Sequence, residues 1–179
     1  MPPQKGEKMK FTELAKARYS VRSYKDTPVE PNILKEIIEA GRVAPTARNF
    51  QPQRVFIVSS ETGREKLASV CRFTFGAPVV LVIGYDRDRC WRNKLDSGAE
   101  SGETDAAIVT THMMLAAAEA GIGSCWVGYF SPEEVREALG LPENIRVTAL
   151  LPLGYPAENS TPASFHEELR PLEETVTEI

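Results

Sequence analysis

Apolar residues recur along the chain with two different periods, and the changes of period mark out its elements. Phe11, Leu14 and Ala15 share one face of a short helix over residues 11–18. Pro31 suits the first turn of a helix that reaches about Arg42, with Ile33, Leu34, Ile37 and Ile38 as its apolar stripe. Residues 55–58 are a β-branched and aromatic run, which predicts a strand. Thr62 followed by Glu65 predicts a capping box opening the next helix. Residues 79–83 are apolar throughout, the pattern of a strand buried on both faces. Residues 86–104 are polar, charged and too long for an ordinary connection, which predicts a mobile loop or a lid.

Residues 105–120 form the clearest helix and are apolar nearly all round, so the helix must be buried. A domain of this size has little room to surround it, which points to a partner subunit as its cover. Gly121-Ile122-Gly123-Ser124-Cys125-Trp126 resembles a dinucleotide fingerprint, but the third glycine is missing and a helix rather than a strand precedes it. Gly121 reads instead as the helix stop. Residues 124–129 and 147–151 predict strands. Between them Ser131-Pro132-Glu133-Glu134 opens a helix that Gly140 ends. Strands and helices mix without a strict βαβ rhythm, so the fold class is α+β. One domain over residues 11–156 lies between a flexible N-terminus, 1–10, and an extended tail, 157–179.

The length of 179 residues suits a single domain. A net charge of −4 argues against nucleic acid as the main partner, though a local arginine cluster can still hold a small anion. Cys71, Cys90 and Cys125 are scattered and odd in number, which disfavours a disulfide framework or a metal site. The N-terminus lacks the apolar core of a signal peptide, and no apolar run reaches the ~18 residues of a membrane span. The expectation is a cytoplasmic protein with no membrane partner. His112 reads as a hydrogen-bonded interior residue.

Two segments carry candidate chemistry. In Arg18-Tyr19-Ser20-Val21-Arg22 two guanidinium groups flank a hydroxyl and suit one anion. The same residues also suit a helix C-terminus decorated with cations. The segment 44–52 holds two prolines with amide and hydroxyl groups, fit either to present hydrogen bonds to a flat heterocycle or to make a rigid turn into the following strand.

These segments resemble the nitroreductase family. The first is similar to its Arg-Arg-Ser-Val-Arg signature, and the second to its Ala-Pro-Ser-(x)-(x)-Asn-(x)-Gln-Pro loop. The run from Asp105 to Gly128 looks like its central helix and following strand. Leu153-Gly154-Tyr155-Pro156 and Arg170-Pro171-Leu172 resemble its ending and tail. The resemblance implies a central mixed or antiparallel sheet flanked by helices, in an intertwined homodimer with FMN at the interface. It implies NADH or NADPH as electron donor and ping-pong reduction of small electron-poor acceptors such as nitroaromatics or quinones. Arg18, Tyr19, Ser20, Arg22 and Arg170 are implied on one side of the flavin. Pro45, Thr46, Ala47 and Asn49 are implied from the other subunit. Cys125, Trp126, Val127 and Gly128 are implied beside the ring, with a backbone N–H of Val127 or Gly128 at N5. No protein nucleophile is implied, because the flavin carries the chemistry.

The chain departs from the family pattern at Tyr19, Gln53 and His112 and is shorter than many members. Arg87, Arg89, Trp91 and Arg92 in the long polar segment are candidates for gating the acceptor site, or for a solvated surface loop. Other readings are a flavin-binding sensor or store with little turnover, a specialised flavin reaction such as reductive dehalogenation, and a dimeric scaffold without cofactor.

Overall fold

The computed structural model describes residues 10–179, so the expected flexible N-terminus lies outside the described residues except for Lys10. The chain runs α1 (Phe11–Ala17), α2 (Pro31–Arg42), β1 (Gln53–Val58), α3 (Glu61–Val70), β2 (Val79–Asp86), β3 (Arg92–Asn93), β4 (Ala99–Glu100), α4 (Gly102–Glu119), β5 (Gly123–Ser124), α5 (Pro132–Ala138), β6 (Ile145–Gly154) and α6 (Leu172–Thr175). The main sheet has the order β1-β2-β6-β5, and all its named pairs are antiparallel.

β2 is buried along its whole length because helices cover both faces of the sheet. Its alternate side chains go to opposite sides, as the pleat requires. Val79, Leu81 and Ile83 pack with Ile37 of α2 and Val109 and Met113 of α4. Val80 and Val82 pack with Leu67 of α3 and Val135 of α5. α2 and α4 approach closely at Gly41, where an added Cβ would lie 2.6 Å from Met113 Cγ.

The predicted elements stand, with four adjustments. Ser60, not Thr62, caps α3: its Oγ accepts the Gly63 N–H at 3.2 Å, and Thr62 lies inside the first turn. The strand expected over 124–129 is cut short: β5 ends at Ser124, the Cys125 N–H reaches the Pro152 carbonyl at a long 3.4 Å, and a regular bridge returns at Val127, paired with Leu150. The segment 86–104, expected as a mobile loop or a lid, holds a small hairpin formed by β3 and β4, and its last residues already belong to α4. Glu100 fastens that hairpin, taking Arg92 at 2.8 Å, Arg87 at 3.4 Å and the Tyr85 hydroxyl at 2.9 Å. The tail is extended apart from turns and the single helical turn α6, and it lies back along α1 through His166 to the Lys16 carbonyl at 3.1 Å.

Candidate functional site

α1 ends at Arg18, whose extended backbone sends the chain alongside β5. Ser20 bridges Ser124, and Val21 donates its N–H to the Ser124 carbonyl at 2.9 Å. Gly123 permits this approach, since a Cβ there would lie 2.8 Å from Val21 Cγ2. Gly121, at φ 73°, stops α4: its N–H reaches the Ala118 carbonyl at 3.1 Å, and that of Ile122 the Ala117 carbonyl at 2.8 Å. Between α1 and the end of α4 opens a cleft of about 190 Å³, lined by Arg18, Tyr19, Ala118, Gly121, Ser124 and Pro156 among others.

The polar atoms at this cleft suit an anion. Ser124 Oγ is buried and has no hydrogen-bond partner among the described residues. Arg22 donates to the Ser20 carbonyl at 3.2 Å, and among the described residues neither Arg18 nor Arg22 pairs with a carboxylate. Two cations without counter-ions beside an unpaired hydroxyl form a donor set matched to an oxyanion such as phosphate. Burial pushes the Cys125 thiol up, against the opposing pull of Arg22, Ser20 and Arg18. It therefore stays protonated at neutral pH and is no nucleophile. Tyr24 secures the underside, its hydroxyl 2.8 Å from the Val21 carbonyl and 3.2 Å from that of Pro152. Burial, and after it the neighbouring Cys125, hold that phenol above its ordinary value.

The second segment is a strained loop. Arg48, Asn49 and Gln51 all have φ between 50° and 58°, a region that costs a non-glycine residue about 1–2 kcal/mol. Such strain persists only where the surroundings over-determine it, and it clusters at ligand clamps. Here the Thr46 hydroxyl accepts the Gln51 N–H at 3.1 Å, and Gln51 Nε2 donates to Asn49 Oδ1 at 3.1 Å. Ala47 donates its N–H to Asp105 Oδ1 at 2.8 Å. Asp105 is buried and accepts the Ser101 hydroxyl at 2.7 Å. Pro45, Arg48 and Asn49 are exposed at the loop surface.

The two segments do not meet in one protomer. The strained loop is tied to Asp105 in the first turn of α4, and the Arg18 cleft opens at Ala118 and Gly121 at its other end. At a rise of about 1.5 Å per residue the two lie roughly 24 Å apart.

Cys125 to Gly128 run between these ends. Trp126 and Gly128 line a further cleft of about 240 Å³ with Glu103, Ala107 and Arg146. The Val127 N–H is spent on the Leu150 carbonyl at 2.9 Å. Of the two backbone donors expected here, only that of Gly128 lacks a protein acceptor among the described residues. Arg170 is exposed in the tail, four residues beyond His166, which rests edge-on against Tyr19 at 6.3 Å. The Tyr19 hydroxyl faces the tail as well, 3.2 Å from the Ser160 carbonyl. His112 is half-buried, and its Nδ1 lies 2.9 Å from the carbonyl of Ile108 on its own helix. Sequence reasoning missed Ser124 and the role of Asp105. Asp105 is legible as an acid at a helix start, but nothing local ties it to Ala47.

The nitroreductase family model matches residues 15–72 and 69–155. An NADH dehydrogenase of Thermus thermophilus is 31% identical over 180 residues, covering 82% of this chain and 86% of its own length. A nitroreductase family protein of Clostridium difficile superposes with a TM-score of 0.88 at 38% identity, covering 94% of this chain and 98% of that one. A nitroreductase of Exiguobacterium sibiricum, solved in complex with FMN, has the same fold with a TM-score of 0.80 at 19% identity, covering 98% and 100%.

Proposed function

The chain belongs to the nitroreductase family, and from that premise we propose that it is an FMN-dependent NAD(P)H oxidoreductase whose site is built from two copies of the chain. The observation that carries this reading is the separation of two matched motifs to opposite ends of α4. The Arg18 half does not suffice alone, since its cleft of about 190 Å³ is smaller than the roughly 300–1,000 Å³ of small-molecule sites. A two-fold pairing of α4 with its counterpart sets the Arg18 end of one protomer against the Thr46 loop of the other. The stripe Ala107, Thr111, Leu115 and Ala118, spaced by three and four and only half-buried, gives that pairing an apolar contact.

When bound, FMN supplies two-electron transfer between NADH or NADPH and a small electron-poor acceptor such as a nitroaromatic or a quinone, in ping-pong order. Arg18, Ser20 and Ser124 hold the phosphate and ribityl end, with Arg170 joining from the tail. Arg22 lies at the edge of the ring where reduction places negative charge, and its cation favours the reduced state. The Gly128 N–H orients the reacting edge of the ring. Cys125, Tyr19 and Trp126 shape the wall. Pro45, Thr46, Ala47 and Asn49 close the site from the partner protomer, and the strain in their loop fixes the donors before the cofactor arrives.

Complementation tests this arrangement. Arg22→Ala and Asn49→Ala are each expected to lose flavin retention and activity. A heterodimer of the two has one site with both residues intact, so co-expression recovers about one flavin per dimer and a matching fraction of activity. No recovery in a verified heterodimer would place both residues in one protomer's site and overturn the two-copy arrangement.

A further inference from the structure

Beyond Gly128 the chain leaves the sheet, and aromatic side chains close around another cleft of about 550 Å³. Its walls include Arg72, Phe73, Gly128, Tyr129 and Phe130. Phe73 meets Tyr129 edge-on at 5.7 Å, and Phe75 lies 6.1 Å from Phe73. Tyr129 is nonetheless 79% exposed, an aromatic face left open on the cleft side. The Arg72 guanidinium lies over the Phe73 ring, 4.7 Å from its centroid. That stacking holds the planar cation against the wall and leaves its N–H edge free. Among the described residues no carboxylate pairs with Arg72. At Gly128 a Cβ would meet nothing within 4 Å, so the wall of the cleft is uncrowded there, and the Gly128 N–H has no protein acceptor among the described residues.

We infer that Arg72 is a specificity-determining residue that selects aromatic acceptors carrying an anionic group. The acceptor ring stacks on the open aromatic face, its carboxylate pairs with Arg72, and its reducible group points towards Gly128. This rests on the reading above, in which the flavin lies beside Gly128. The reaction is unchanged: a nitroarene takes two electrons from NAD(P)H and two protons, losing water to give the nitrosoarene.

The test compares 4-nitrobenzoate with its neutral counterpart 4-nitrobenzamide on the FMN-loaded protein. Arg72→Gln is expected to lower the ratio of kcat/KM for the anion over the amide by about tenfold, the size of one partly exposed charge-assisted pair. Arg72→Lys keeps part of that ratio. Calorimetry gives a readout free of turnover: benzoate, which is not reduced, binds more tightly than benzamide, and Arg72→Gln removes the difference. An unchanged ratio, or an equal loss for both acceptors with benzoate binding intact, overturns the proposal. A chain that keeps no flavin yet prefers benzoate through Arg72 sinks the flavin reading and leaves the anion site standing.

Discussion

The backbone N–H of Ala47 donates to the buried carboxylate of Asp105 at 2.8 Å, joining a strained loop to the first turn of the central helix across 58 residues of sequence. The carboxylate is well placed there, because a helix N-terminus favours negative charge. It also aims the loop, since Asp105 is held in turn by Ser101. Asp105→Ala is therefore expected to destabilise the protein by about 2–3 kcal/mol, the range for hydrogen bonds to a buried charged group. It also weakens FMN binding, because the loop can relax from its left-handed residues. Urea unfolding and flavin titration of the variant check both; an unchanged flavin affinity would show that the loop holds its shape without Asp105.

Among the described residues neither Arg18 nor Arg22 pairs with a carboxylate, and Ser124, bridged to Ser20 in the segment between them, keeps a buried hydroxyl without a partner. Removing Arg18 is expected to weaken FMN binding by about 10–100-fold, the equivalent of one charge-assisted contact. With FMN supplied in excess to offset its weaker retention, Arg22→Ala is expected to lower the midpoint potential of the bound flavin, because a cation that favours the reduced state is lost. Equilibrium dialysis and anaerobic titration against a redox dye separate the two effects.

Gly41 faces Met113 with no room for a methyl group, an added Cβ lying 2.6 Å from Met113 Cγ and 2.9 Å from its sulfur. Gly41→Ala is expected to cost about 1–3 kcal/mol by overpacking α2 against α4, offset in part by alanine's better helix propensity. Thermal unfolding of Gly41→Ala, Met113→Ala and the double variant checks this. The losses should be sub-additive, since the shortened Met113 makes space for the new methyl.

Glu100 ties Tyr85, Arg87 and Arg92 into the hairpin. Burial opposes its charge, but the Tyr85 and Arg87 hydrogen bonds and the Arg87 and Arg92 charges outweigh it and hold the carboxyl below its ordinary value. A carboxyl lowered on folding stabilises the protein fully above its unfolded pKa of ~4.3 and loses that contribution as pH falls through the folded value. Glu100→Gln is expected to flatten the fall in stability between about pH 5 and pH 3. Urea midpoints across that range check it; a slope identical to that of the parent would remove Glu100 from the acid response.

Much of this was legible from residue order, for identifiable reasons. α2 starts at Pro31 and ends at Arg42 as its proline and apolar stripe predict. Ser131 caps α5, accepting the Glu134 N–H at 3.3 Å. β2 reads as buried on both faces, and it is. The hairpin in 86–104 is hidden because its strands are two residues long and its stability comes from ion pairs to Glu100, which leave no hydrophobic period. β5 is shorter than its apolar run because regular pairing lapses after Ser124, where the Cys125 N–H reaches the Pro152 carbonyl only at 3.4 Å, and a run of side chains does not report such a backbone irregularity. The motifs around Arg18 and Asn49 can be picked out in sequence, but their placement at opposite ends of α4 depends on packing, as do the unpaired Ser124 hydroxyl and the engaged Val127 N–H.

The most direct test is an absorbance spectrum of the purified protein after FMN is added and excess removed by desalting, followed anaerobically by NADH and then NADPH. The account predicts a retained flavin band near unit stoichiometry per chain that bleaches with a nicotinamide and returns when a nitroaromatic or quinone is added. A colourless protein with Arg18, Ser20 and Arg22 intact, or a retained band that neither nicotinamide bleaches, would contradict it.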